Sequence, residues 1–303
     1  YILPPYRDAQ RLRLASLLGI SAHRSEDFAS DRLIRAVVAQ RSIKSSEEIR
    51  QLEEAVKVTK TMHETAMRMA APGQTEQDIA ARVAGLARTG AGELSFPVTC
   101  SVRGEVLHNH HYTNPLLDED LLRVDTGATS SMHYAADVTR VTPVSGTFSD
   151  RQRAVYAAVL DAQESAIEAC TPGTTFRDIH LLASRVLTEH LIDIGLMRGD
   201  ADDAVSAGAH ALFFPHGLGH MLGLDVHDME NLGENYVGYD DEVQRSDQFG
   251  LNALRLGRAL EPGFVLTVEP GCYFIPQLIS RWRDDGKHTD FINYDVVDDF
   301  VGF

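Results

Sequence analysis

The segment PHGLGHMLGLDVHD, residues 215–228, holds three histidines among three glycines. The histidines are His216, His220 and His227. Histidines at such spacing can bind a metal ion, transfer protons or fill structural positions in a turn. The glycines argue against a helix and favour tight turns followed by a strand. The helical zinc pattern HExxH is absent because residue 217 is Gly, and the P-loop and GxSxG patterns are absent too.

Three carboxylates at the ends of strand-like runs are candidate partners of these histidines. Asp125 follows LLRV, Asp137 precedes VTRV, and Glu269 follows VLTV. A carboxylate in an apolar strand pattern is costly unless a cation, a metal or hydrogen bonds compensate it. Alternatively, Asp125 and Glu269 begin turns and Asp137 pairs with Arg140. Two Asp, one Glu and one His form an oxygen-rich set, which suits manganese, cobalt or iron better than structural zinc.

An internal repeat indicates how the chain positions these groups. The segment APGQTEQDIAARV at 71–83 returns as TPGTTFRDIHLLASRV at 171–186. In each copy the Thr-x-x-Asp pattern predicts a capping box that opens a helix. The shared flanks favour duplication over a chance likeness of two helix–turn–helix joints. We therefore expect two pseudo-symmetric α+β halves with a cleft between them.

Helices and strands are predicted in blocks along both halves. Residues 44–73 predict one long helix, with Ser45 or Ser46 as its N-cap and a Pro-Gly pair as its stop. Strands are predicted at 93–102, 120–128, 211–220, 222–228 and 263–275. We expect residues 229–258 to form a surface excursion, and we place a domain boundary near residues 41–46.

The composition excludes several classes of function. A hydrophobic fraction of 44% and a charged fraction of 24% are typical of a globular protein. A net charge of −16 without a dense basic cluster argues against nucleic acid or an anionic membrane as partner. No apolar run approaches transmembrane length. Three cysteines without a CxxC pair fit a reducing compartment, so we expect a cytoplasmic location.

Three motifs in order resemble those of the pita-bread metallopeptidases. They are VDTGA with AADVTRVTP, then HGLGHMLGLDVHD, then LEPGFVLTVEPGCYF. The resemblance covers residues 44–303 and points to the branch of the Xaa-Pro dipeptidases (prolidases) and Xaa-Pro aminopeptidases. It implies an α+β pita-bread (creatinase/aminopeptidase) fold with two pseudo-symmetric halves, in agreement with the internal repeat.

The resemblance implies a ligand set for two divalent metal ions. Asp125 would bind one ion, and Asp137 would bridge both. His220 and Glu269 would bind the other, with a bridging hydroxide as nucleophile. Manganese is the favoured metal, with cobalt, zinc or iron as alternatives.

The resemblance also implies residues that handle the substrate. His227 and His108 would hold it and stabilise the tetrahedral oxyanion, with His111 as the alternative to His108. His216 would line the pocket near the proline ring. Arg140 would orient the carboxylate of Asp137 and would also belong to the residues that bind the substrate. On these assignments, the segment 215–228 forms one wall of the site.

A fifth ligand, a second bridging Glu, is implied in a strand that follows the Glu269 region. The sequence stops at NYDVVDDFVGF, where that strand is expected to begin. Asp298 and Asp299 fit the linker before it. We therefore expect a fold truncated at both ends, with residues 1–43 as the tail of an N-terminal domain plus linker. Residues 44–303 would be a catalytic domain without its last strand, holding one metal or none.

The resemblance implies a metal-dependent exopeptidase that hydrolyses the Xaa-Pro bond and forms a homodimer. We expect dipeptides as substrates rather than longer peptides. One alternative is an Xaa-Pro aminopeptidase that acts on longer peptides, and another is a methionine or creatine hydrolase of the same fold. A further alternative is a non-catalytic pita-bread protein that binds a peptide or a partner. The presence of four ligand residues argues against the non-catalytic alternative.

Overall fold

The long helix of the first half is capped as the sequence predicts. A computed structural model describes residues 2–90 and 92–302, so the domain limits expected at residues 1 and 303 lie outside the described residues. Helix α3, Ser46–Met69, begins after Ser45, whose side chain accepts from the Glu48 N–H at 3.3 Å. The Glu48 carboxylate accepts from the Ser45 N–H at 2.8 Å. This reciprocal pair settles Ser45 as the N-cap.

The repeated Pro-Gly segments join helix pairs in the same way in both halves. Helix α4, Glu76–Gly90, follows α3, and α6, Phe176–Asp193, follows α5, Asp150–Ala169. The glycines of the two joints, Gly73 and Gly173, both have a φ of 92°. That left-handed conformation favours glycine, so the repeat preserves the turn that reverses the chain.

The predicted capping boxes form to different extents in the two copies. In the first copy Thr75 Oγ1 accepts from the Asp78 N–H at 3.2 Å, and Asp78 accepts from the Thr75 N–H at 3.0 Å. In the second copy Thr175 Oγ1 accepts from the Asp178 N–H at 3.1 Å. Asp178 instead lies 3.7 Å from the Arg177 guanidinium. The pseudo-symmetry therefore holds for the backbone and for one of the two capping bonds.

The first half contains an antiparallel sheet of three strands. The strands are β1, Thr99–Ser101, β2, Leu121–Thr126, and β3, Val138–Pro143, in the order β1-β2-β3. Asp125 pairs with Thr139 across β2 and β3, and with Thr99 across β1 and β2. The strands predicted at 93–102 and 120–128 are confirmed in part. Their pairing brings Asp125 and the start of β3 to one end of the sheet.

The second half does not form the predicted strands among its described residues. Its segments 218–222 and 265–269 run alongside each other, joined by backbone bonds from Glu269 to Leu218 and from Thr267 to His220. The ladder is interrupted because the His220 N–H donates to the Thr267 hydroxyl at 3.0 Å rather than to a carbonyl. Residues 209–212 form a 3₁₀ turn. The strands predicted at 211–220, 222–228 and 263–275 are therefore wrong as regular strands.

Each half has its own apolar core. The first-half core includes Met62, Ile79 and Leu122, and the second-half core includes Phe176, Phe213 and Leu256. A smaller cluster of Leu52, Ala135 and Leu222 lies between the halves. There the Ala135 N–H donates to the Gly223 carbonyl at 2.8 Å. This cluster and this hydrogen bond align the first-half sheet with the histidine-rich segment 215–228.

Both ends of the segment 229–258 pack into the second-half core, whereas residues 240–242 are exposed, so the predicted surface excursion is wrong in part. Met229, Leu232, Leu254 and Leu256 are each at most 2% exposed. Their apolar side chains are scattered along the sequence, and only the tertiary packing of short helical turns collects them. The segment includes α8, Glu234–Gly238. It therefore forms part of the support behind the site.

The remaining helices frame these two cores. They are α1, Asp8–Leu18, α2, Asp31–Ser42, α7, Ala201–Ala207, α9, Pro276–Asp284, and α10, Tyr294–Val297. Ile34 and Val38 of α2 are buried in the second-half core, whereas α1 buries none of its residues. Within the described ranges, no helix has both the length and the apolar character that crossing a membrane requires.

Candidate metal centre

His220 is held so that one ring nitrogen is free to act as a ligand. Its backbone is fixed against residue 267, because the His220 carbonyl accepts from the Thr267 N–H at 2.9 Å. Its Nδ1 lies 2.9 Å from the Met221 carbonyl oxygen, which can only accept. The proton of the neutral ring therefore sits on Nδ1, and Nε2 carries the lone pair. This is the arrangement that a metal-binding histidine requires.

Two carboxylates from different halves converge on that nitrogen. Nε2 of His220 lies 3.3 Å from Oδ2 of Asp137 and 3.2 Å from Oε1 of Glu269. The three ligand atoms all lie within 4.8 Å of one another. His220 is buried at 6% exposure, and both acids are half-buried. The structure thus brings together three of the four residues that the sequence nominates as ligands.

Asp125, the fourth nominated ligand, faces the same group from β2. Its Oδ1 is buried and has no hydrogen-bond partner among the described residues. Burial, followed by repulsion from Asp137, raises the pKa of Asp125 to about 7. A hydrogen bond from the Thr139 hydroxyl lowers this pKa in part, but a buried carboxylate with one unpartnered oxygen beside other carboxylates still favours a nearby positive charge.

The donor set fits a divalent cation. Burial opposes the charged form of His220, but hydrogen bonds to Asp137 and Glu269 raise its pKa to about 10. The two carboxylates therefore favour a positive charge at this position. Three carboxylates and one imidazole match the oxygen-rich sites of manganese and its neighbours. The residues present therefore fit a metal site built from Asp125, Asp137, His220 and Glu269.

Thr267 aligns two of these ligands, and sequence reasoning missed it. Its hydroxyl donates to Oε1 of Glu269 at 2.8 Å and accepts from the His220 N–H at 3.0 Å. A Cβ on Gly219 would lie 2.0 Å from the Thr267 carbonyl oxygen, so this contact requires glycine. The signal in the sequence is weak: a Thr at the alternate position before Glu269 in VLTVE.

His227 lies beside the ligand group. Its ring packs edge-on against that of His220, with centroids 4.3 Å apart. Its Nδ1 lies 2.9 Å from Oε2 of Glu230. Burial, followed by the charge of His220, lowers the pKa of His227. The ring therefore adjoins the candidate ligands, and its neutral form is favoured.

His216 contacts aromatic neighbours rather than the ligand group. Its Nδ1 lies 2.9 Å from the Gly217 carbonyl oxygen, and its Nε2 lies 3.0 Å from the Tyr273 hydroxyl. Its ring meets Phe214 edge-on at 4.9 Å between centroids. Burial is the main cause that lowers the pKa of His216, and the charge of His108 contributes. His108 thus lies near His216, whereas no such link joins His111 to the site among the described residues.

Arg140 does not approach Asp137. Its guanidinium donates to the Thr139 carbonyl at 2.7 Å, and the side chain is exposed. Residues an odd number of positions apart on a strand point to opposite faces, which separates these two side chains. The structure therefore gives Arg140 no contact through which it could orient Asp137.

Arg123 is a buried cation that sequence reasoning missed. It lies two residues before Asp125 on β2, and it is 7% exposed. Its guanidinium donates to the carbonyls of Val106 at 2.9 Å and Leu107 at 2.6 Å. These bonds hold the loop that leads into His108. The arginine inside the apolar run LLRVD was the available signal.

The acidic residues near the end of the sequence lie elsewhere. Oδ1 of Asp298 is 2.6 Å from the Arg283 guanidinium, and the Asp299 carbonyl accepts from Arg151. Neither joins the three-residue ligand group. Among the described residues, Asp298 and Asp299 therefore lie apart from the candidate ligand group.

Comparison with known proteins identifies the class of protein that this fold and site define. A model of metallopeptidase family M24 matches residues 50–297. The chain therefore belongs to metallopeptidase family M24 and has the pita-bread fold with two pseudo-symmetric halves, as its three motifs predict.

The relatives divide between two kinds of Xaa-Pro peptidase. Human Xaa-Pro dipeptidase is 34% identical over 275 residues, which is 88% of this chain and 54% of that protein. Yersinia pestis proline aminopeptidase P II is 34% identical, with a TM-score of 0.68 over 78% of this chain and 51% of that one. Zinc-substituted Escherichia coli aminopeptidase P with bound product is 31% identical, with a TM-score of 0.69 over 87% and 55%. The chain spans about half the length of these relatives.

Proposed function

We propose that the protein is a metal-dependent exopeptidase that hydrolyses the peptide bond before proline. The observation that carries this proposal is the convergence of Asp137, His220 and Glu269 within 4.8 Å, with Asp125 facing them. The relatives named above include both a dipeptidase and aminopeptidases. We propose dipeptides as the preferred substrates, and longer Xaa-Pro peptides are the competing possibility.

The ligand residues would hold two divalent ions, and bound ions of this kind polarise the scissile carbonyl and activate water. The chain's own contribution is alignment. The Met221 carbonyl fixes the His220 ring, and the Thr267 hydroxyl fixes Glu269. These groups therefore need little rearrangement when the site fills.

The substrate would be held by the three other histidines. The ring of His227 lies beside that of His220, and the His216 ring with Tyr273 and Phe214 forms an apolar wall that suits a proline ring. His108 approaches from the loop that Arg123 fixes. A rigid wall is useful here because the tertiary amide before proline lacks an N–H that an enzyme could bind.

Three finer predictions from the sequence stay predictions. They are manganese as the physiological metal, a homodimer, and a cytoplasmic location. Titration with manganese, cobalt and zinc and the mass of the native protein in solution test the first two directly.

The proposal is tested on the protein that contains this chain, with manganese added. We expect hydrolysis of Ala-Pro, and slower hydrolysis of Ala-Pro-Ala under the same conditions. Faster cleavage of the tripeptide would favour an aminopeptidase. Metal binding without hydrolysis of either peptide would favour a non-catalytic binding protein, and absence of metal binding would contradict both forms of the enzyme hypothesis.

A further inference from the structure

Glu230 makes a contact with His227 that the ligand set does not require. Nδ1 of His227 and Oε2 of Glu230 lie 2.9 Å apart, and the two side chains are 35% and 30% exposed. A tight turn brings them together, because the Glu230 N–H donates to the His227 carbonyl at 3.2 Å. Met229 between them has a φ of 64° and is completely buried. The core therefore holds the turn in a conformation that non-glycine residues seldom adopt.

The other oxygen of Glu230 is also bound. Oε1 lies 2.9 Å from the Arg255 guanidinium, and Arg255 binds Glu234 as well. Burial opposes ionisation, but Arg255 and His227 together lower the pKa of Glu230. The carboxylate is therefore charged at neutral pH and can only accept hydrogen bonds.

This contact fixes which nitrogen of His227 carries the proton. Because Glu230 only accepts, Nδ1 of His227 must donate. Nε2 has no hydrogen-bond partner in the described part of the chain, and the ring lies against His220. With Nδ1 occupied, Nε2 is the nitrogen left to meet a bound substrate.

We propose that Glu230 is a positioning residue that holds His227 in the Nδ1–H tautomer and directs its Nε2 toward the substrate. The inference rests on the proposed function for its effect on catalysis, whereas the tautomer can be observed independently. His220 is fixed by the same device, with the Met221 carbonyl in the place of the carboxylate. In general, a second hydrogen bond to an imidazole sets its orientation and the basicity of the free nitrogen.

The tautomer of His227 is measured by ¹⁵N NMR of the metal-free protein, at a pH above the ordinary pKa of histidine. We expect the Nδ1–H form in the wild type and in Glu230→Gln, since Gln retains an acceptor oxygen. In Glu230→Ala we expect the Nε2–H form of free imidazole to dominate. Glu234→Gln is the matched control, because Glu234 binds Arg255 without touching His227. A spectrum of Glu230→Ala with His227 still in the Nδ1–H form overturns the proposal.

Kinetics with Ala-Pro separate positioning from loss of structure. We expect Glu230→Ala to lower kcat by about 10–100-fold with metal content unchanged, and Glu230→Gln to recover most of it. Glu234→Gln is expected to keep the wild-type kcat. Equal kcat values for Glu230→Ala and Glu234→Gln would overturn the positioning role. If the wild type does not hydrolyse Ala-Pro, the proposed function fails while the NMR result still decides the tautomer.

Discussion

Nζ of Lys44 lies 2.8 Å from Oδ2 of Asp228, and both side chains are only 1% exposed. Arg41 binds the other oxygen of the same carboxylate. Lys44 immediately precedes the cap of α3, and Asp228 immediately follows His227. The buried pair therefore fastens the start of the longest helix to the segment that carries the site histidines.

Replacing Lys44 with Met is expected to destabilise the fold by about 3 kcal/mol, because Asp228 would lose one of two cations in a buried site. The measurement is urea unfolding of the metal-free protein. Arg50→Met is the control, since Arg50 pairs with Glu47 on an exposed helix surface and such pairs contribute at most about 1 kcal/mol. Equal losses in the two variants would contradict a special role of the buried pair.

Asp137→Asn is expected to abolish metal binding, since it removes a charged ligand from the group around His220. His216→Ala is expected to bind metal like the wild type, because the His216 ring contacts Tyr273 and Phe214 instead of the ligands. Its KM for Ala-Pro should rise by about tenfold as the apolar wall is lost. Calorimetric titration with manganese compares the two. Equal loss of metal in both variants would mean that the ligand histidine is misassigned.

Gly219→Ala is expected to weaken metal binding by at least about tenfold and stability by about 1–3 kcal/mol. The new Cβ would collide with the Thr267 carbonyl and push His220 away from Glu269. The control is Gly85→Ala, where a Cβ meets no atom within 4 Å on an exposed face of α4. That control should stabilise the protein by about 0.5–1 kcal/mol. Wild-type metal affinity in Gly219→Ala would refute the contact's importance.

Two buried histidines predict that acid destabilises the second half. Neither ring nitrogen of His180 or His210 has a hydrogen-bond partner in the part of the chain described. Burial and the charge of His210 lower the pKa of His180 to about 3, and burial with His288 lowers that of His210 to about 4. Below about pH 6.5 the unfolded chain therefore binds more protons than the folded chain, so stability falls with pH toward the folded pKa values.

Each of these histidines can contribute a slope of up to about 1.4 kcal/mol per pH unit in that window. His180→Phe should make the loss of unfolding free energy between neutral pH and about pH 5 smaller than in the wild type. Urea unfolding at both pH values measures it, with the exposed His23→Gln as the control. The same loss in His180→Phe and the wild type would show that this histidine does not sense acid.

Local signals explain what the sequence predicts correctly. The cap at Ser45, the Pro-Gly joints and the sheet of the first half depend on residues close together in the chain. The candidate ligand residues could be proposed from the sequence because they stand in motifs with a recognised order, and three of them lie together in the structure. Thr267, Arg123 and Glu230 were missed because their roles depend on contacts with distant or irregular segments, which no periodicity encodes.

The second-half strands failed for a related reason. Alternating β-branched and apolar residues predict extended backbone, and the backbone at 218–222 is indeed paired with 265–269. A regular ladder, however, requires each inward N–H to donate to a carbonyl of the neighbouring strand. The His220 N–H donates to the Thr267 hydroxyl instead. The burial of both ends of 229–258 similarly follows from which surface its scattered apolar residues meet, a property of the tertiary structure.

The four candidate ligand residues come two from each half, with Asp125 and Asp137 beside the first-half core and His220 and Glu269 beside the second. A bound ion would therefore cross-link two halves that each have their own apolar core. Amide protons in both halves should exchange more slowly when the ion binds, even where no ligand residue is near. Because each half contributes two of the candidate ligand residues, the two halves are expected to unfold more cooperatively when the ion is bound than when it is absent.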